Sequence, residues 1–180
     1  MGKVECLEEF DASGTSIRQP SASIFLLKSL KVLSFDGCKR IVALPSLSGL
    51  CSLEVLGLSA CNLRDGALPE DIGCLSSLRS LDLSQNNFVS LPKSINQLSE
   101  LEMLVLEDCT MLESLPEVPS KVQTINLNGC IRLKEIPDPI KLSSSKRSEF
   151  ICLNCWELYE HNGQDNMGLT MLKRYLKVFS

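Results

Sequence analysis

Apolar residues recur along this chain in a fixed block, L-x-x-L-x-L-x-x-(C/N), closed each time by a cysteine or an asparagine. The blocks run Leu30-Leu33-Phe35-Cys38, Leu53-Leu56-Leu58-Cys61, Leu78-Leu81-Leu83-Asn86, Leu101-Leu104-Leu106-Cys109 and Val122-Ile125-Leu127-Cys130. A weaker copy, Leu7, Phe10, Ala12 and Thr15, opens the chain. The leading positions 7, 30, 53, 78, 101 and 122 stand 23, 23, 25, 23 and 21 residues apart. Copies held in register at such a period predict stacked coils, each too small to bury a core alone.

The spacing has a local meaning. The last two apolar residues of a block alternate, so a short strand puts both on one face, toward the core. The closing residues Thr15, Cys38, Cys61, Asn86, Cys109 and Cys130 then form a structural ladder where the chain turns away. An asparagine amide there can satisfy backbone groups freed by the turn, whereas a cysteine is a small, weakly donating filler. Period and consensus together identify a leucine-rich repeat solenoid. The expected fold class is α/β, a concave parallel sheet of about six coils with a C-terminal helical segment.

The rest of the chain divides around that array. Residues 1–29 read as an incomplete first coil, which suggests a missing N-terminal portion, because solenoids need polar caps. Residues 30–140 are the solenoid. After each ladder residue comes a Leu-Pro or Ile-Pro step (Leu44-Pro45, Leu68-Pro69, Leu91-Pro92, Leu115-Pro116, Ile136-Pro137), where proline turns the chain without needing a donor. Pairs three apart, Leu47/Leu50, Ile72/Leu75 and Ile95/Leu98, suit single helical turns on the convex side. Residues 141–149 read as a polar linker. Residues 150–180 read as a post-repeat segment with a helix capped near Asp165, whose stripe Leu169, Leu172, Leu176 and Phe179 would dock over the open end of the stack.

Composition narrows function mainly by exclusion. The formal net charge is −4 and no basic footprint for nucleic acid stands out. There is no apolar run of membrane-spanning length, no secretory leader and no N-x-Ser/Thr sequon. Cys6 stands where a myristoylation signal wants serine or threonine. The nine cysteines are an odd count and are expected as reduced thiols in a cytoplasmic or nucleocytoplasmic protein. Cys152-x-x-Cys155 reads as structural packing, with a metal site (using His161) or a redox pair as alternatives. No catalytic constellation or phosphate-binding glycine loop is present, so the chain reads as non-enzymatic, with no cofactor and no metal.

The solvent-facing strand positions carry the functional reading. They hold Glu9, Asp11, Asp36, Asp82 and Glu107 and no basic residue. Val55, Ser59, Ser84, Met103, Val105 and Asn126 lie among them, while Lys39, Arg40, Arg64, Arg132 and Lys134 follow the ladder. An acidic face with apolar residues inside it suits a protein partner better than a polyanion. The expected partner-binding set is Asp11, Asp36, Val55, Ser59, Asp82, Ser84, Met103, Val105, Glu107 and Asn126.

Cysteine ladder residues, Leu-Pro steps, the phrase Leu53-Glu-Val-Leu-Gly-Leu-Ser-Ala-Cys61 and the tail Leu153-Asn-Cys-Trp-Glu-Leu158 resemble one family. It is the plant intracellular nucleotide-binding leucine-rich-repeat immune receptors, in the branch with an N-terminal Toll/interleukin-receptor domain. The resemblance covers essentially the whole chain but includes neither the signalling nor the nucleotide-binding domain. NAD cleavage and ADP/ATP binding are therefore carried over to no residue. It implies a partner that is either a pathogen effector or the receptor's own nucleotide-binding domain. The alternative is a free-standing repeat adaptor or truncated receptor copy.

Overall fold

The structure, a computed structural model, describes residues 6–137 and 149–158. Seven three-residue strands stack in chain order: β1 Glu9–Asp11, β2 Val32–Ser34, β3 Val55–Gly57, β4 Ser80–Asp82, β5 Met103–Val105, β6 Thr124–Asn126 and β7 Glu149–Ile151. All neighbouring pairs are parallel and in one register, which aligns Phe10, Leu33, Leu56, Leu81, Leu104, Ile125 and Phe150. Each strand has one core position at its centre and another just after it, so Leu33, Leu56, Leu81 and Leu104 are fully buried together with Phe35, Leu58, Leu83 and Leu106. A strand three residues long suffices because stacking, not length, supplies its partners on both edges.

β7 extends the sheet into the stretch read as linker and post-repeat segment. Cys152 and Cys155 occupy the offsets of Leu127 and Cys130, so a seventh copy was present in the sequence but lacked its leading apolar residue. The convex side is also leaner than expected. Its turns at Ile24–Leu26, Glu70–Cys74 and Lys93–Gln97 are 3-10 helices, too short for α-helical hydrogen bonding. Leu47/Leu50 pack without any helix, both fully buried. The Asp165 cap and the stripe from Leu169 to Phe179 lie outside the described residues.

Each coil closes through one left-handed residue immediately before its ladder position: Gly14, Gly37, Ala60, Gln85, Asp108, Gly129 and Asn154, with φ between 53° and 73°. The N–H of that residue points to the next coil. Gly37 N donates to Ser59 O at 2.7 Å, Ala60 N to Ser84 O at 2.9 Å and Gln85 N to Glu107 O at 2.7 Å. The sheet's hydrogen bonding thus continues past the strands and around the turn. Only then does the ladder side chain point inward.

Candidate protein-recognition face

The ladder comes first, because it sets the pitch on which the exposed face is built. The Cys38 thiol lies 3.1 Å from Ala12 O, Cys61 3.0 Å from Phe35 O, Cys109 3.2 Å from Leu83 O and Cys130 3.1 Å from Leu106 O. Cysteine therefore does more than fill space: each thiol donates to the carbonyl of the preceding coil. Asn86 does more still, accepting from Cys61 N at 3.2 Å and Leu63 N at 2.9 Å. Its amide also donates to Leu58 O, Leu83 O and Ser84 O. Thr15 bonds its own coil, at Ala12 O. Burial raises the thiols of Cys61 and Cys109 from 9.0 to about 11, and that of Cys130 to about 12. They are inert packing groups at neutral pH.

On the opposite face the first and third residues of each strand turn outward around its central residue, except that β3 has glycine, without a side chain, at the third position. Val55 is 39% and Met103 43% exposed, two strands apart with Ser80 between them. Val105 and Asn126 are half-buried beside them, and Glu107 is exposed. Glu107 accepts a hydrogen bond from Asn126 Nδ2 at 3.2 Å.

Asp36, Asp11 and Asp82 are already engaged. Asp36 accepts from Ser59 N at 2.7 Å, Ser59 Oγ at 2.9 Å and Ser34 Oγ at 2.9 Å, tying one coil to the next. Gly57 makes room for that carboxylate; a Cβ there would stand 2.7 Å from Asp36 Oδ2. Asp11 and Asp82 each receive the hydroxyl and N–H of the serine two residues on, Ser13 and Ser84. The Ser13 hydroxyl, then its N–H, hold the Asp11 carboxyl below the ordinary range. Ser84 is only 8% exposed, which corrects its place among the partner-facing residues. Its hydroxyl turns to Asp82 instead of outward.

A further feature sits one residue before each of strands β1 to β5. Reading that offset down the coils gives Glu8, Lys31, Glu54, Arg79 and Glu102, a row of alternating charge. Lys31 Nζ pairs with Glu8 at 2.9 Å and Arg79 Nη1 with Glu102 at 2.9 Å. The hydrogen bond that Lys31 donates to Glu8, then the charge of Glu8, raises Lys31 above its ordinary value. The row borders Val55 and Met103 along one side of the face.

The cysteines divide in two. Cys6, Cys38, Cys51, Cys61, Cys74, Cys109 and Cys130 are free thiols, whereas Cys152 and Cys155 are joined. That pair corrects the expectation that all the cysteines are reduced. Among the described residues no group of three His, Cys, Asp or Glu side chains is placed to hold a metal ion. Among them, too, no helix is long and apolar enough to cross a membrane.

The sequence pattern of the family described as leucine-rich repeat region matches residues 37–147. This chain belongs to that family. Its repeats resemble those of TMV resistance protein N of Nicotiana glutinosa, at 48% identity over 139 residues covering 76% of the chain. They also resemble disease resistance-like protein DSC1 of Arabidopsis thaliana, at 35% over 181 residues and 96% of the chain. These relatives are plant disease resistance proteins, as the resemblance in the sequence implied. The chain spans only 12% and 15% of their lengths. Among solved structures, the leucine-rich repeat domain of the type III effector XopL superposes with a TM-score of 0.59 at 23% identity. That match covers 81% of this chain and 60% of the other. Leucine-rich repeats of this kind generally serve protein interaction without catalysis.

Proposed function

We propose that this leucine-rich repeat array is the recognition module of a plant intracellular immune receptor. Its concave face senses a pathogen effector, restrains the receptor's nucleotide-binding domain, or does both. The observation that carries the reading is the pair Val55 and Met103. Both are exposed apolar side chains on a face where Asp36 and Ser59, and Asp82 and Ser84, are braced to one another. Such residues, desolvated in a complex, are where binding energy concentrates. The relatives that are disease resistance proteins support the receptor context.

The test is a Val55→Asp/Met103→Asp double substitution, placed in the whole receptor and in the purified repeat array. We expect the array's melting temperature to hold and the response to the cognate effector to be lost. A response without effector would assign the face to restraint instead. Unchanged activation and unchanged resting silence would refute the reading.

A further inference from the structure

We propose that Cys152 and Cys155 form a reversible two-electron redox site that fastens the last strand of the sheet. Cys155 is the seventh ladder residue, its sulfur 3.1 Å from Leu127 O just as Cys130 meets Leu106 O. Cys152 takes the core offset held in earlier coils by Ala12, Phe35, Leu58, Leu83, Leu106 and Leu127. Nowhere else in the described repeats does that offset carry sulfur, so only here do a core-offset thiol and a ladder thiol share one coil. Both are fully buried, their Cα atoms stand 6.1 Å apart, and the structure joins them. That separation lies within the span a disulfide bridges without moving the backbone.

The surroundings tolerate both states. As a dithiol, Cys155 donates its S–H to Leu127 O. On oxidation that donor is lost, yet Leu127 O still accepts from Cys130 N at 3.1 Å. The chain on either side is anchored to β6 and its turn: Leu153 N to Asn128 Oδ1 at 2.9 Å, Gly129 N to Leu153 O at 2.8 Å, and Glu157 N to Ile131 O at 3.3 Å. Local opening of this three-residue strand, on the scale that lets buried amides exchange, admits a small reagent.

The oxidant is a low-molecular-weight disulfide of the glutathione class. One cysteine thiolate attacks it, making a mixed disulfide and expelling one small thiol; the second thiolate displaces the other. Two protons and two electrons leave the protein, and the oxidant becomes two thiols. A reducing compartment holds the pair open, and an oxidising pulse closes it.

Full-length chain equilibrated across glutathione ratios, then alkylated and mapped by mass, tests this directly. Trp156, the only tryptophan, adjoins Cys155 and reports by its emission. We expect the pair to titrate as one two-electron couple, with Trp156 emission falling on oxidation. Exchange of the Leu153 and Glu157 amides should slow on the order of tenfold. Cys152→Leu restores the residue class of the other coils and should abolish all three responses while the array stays folded; Cys152→Ala serves as a second control. The inference is overturned if both cysteines are alkylated at every ratio, if only single glutathione adducts form, or if Cys152→Leu still shows the slowing.

Discussion

At the scale of single residues, the ladder uses two chemistries at one position. Asn86 makes five hydrogen bonds and leaves none of its amide idle, whereas each cysteine makes one main contact to the previous coil. Asn86→Ala is therefore expected to cost about 3 kcal/mol and Cys109→Ala about 1–2 kcal/mol, since losing a partner strands buried donors and acceptors. Chemical denaturation measures both. The buried thiols also set an alkaline limit. Unfolded, they ionise from about 9; folded, Cys61 and Cys109 hold their protons to about 11 and Cys130 to about 12. Between those values the unfolded chain has released protons that the folded one keeps, so stability falls as pH rises through the window. Stability measured across that range should fall less steeply in Cys130→Ala.

At the scale of the repeating element, the left-handed residue before each ladder position is the hidden requirement. Glycine marks it at Gly14, Gly37 and Gly129, but Ala60, Gln85, Asp108 and Asn154 adopt the same conformation without glycine's freedom. Gln85 is exposed, and its backbone N–H bond to Glu107 O is one a glycine would keep. Gln85→Gly should thus stabilise the array by about 1 kcal/mol, read as a rise in denaturation midpoint. The strands and ladder were legible because burial enforces their spacing. The turn was not, because its conformation is imposed by the next coil's carbonyl, through a hydrogen bond that leaves no constant residue type. For the same reason the seventh copy went unseen: with Arg147 where the leading leucine belongs, only register against β6 reveals it.

At the scale of the whole molecule, a stack ties each coil only to its neighbours, so protection should vary along it as a gradient rather than a step. Hydrogen exchange is expected to be slow at Leu81 and Leu104, each in a strand paired on both sides. The candidate face was legible in outline, since alternation alone placed Val55 and Met103 outward. It was less legible in detail: Asp82 and Ser84 are spent on each other within one turn, and Asp36 on Ser59 of the next coil, a pairing that appears only when coils lie side by side.

The alternating row Glu8, Lys31, Glu54, Arg79 and Glu102 bears on how such an array can lengthen. Copying one coil in tandem would set two like charges face to face, which is unfavourable across adjacent strands. Copying two together preserves every attraction. Growth along this edge has a parity: the duplicating unit that the electrostatics accept is a pair of coils, close to twice the 23-residue period.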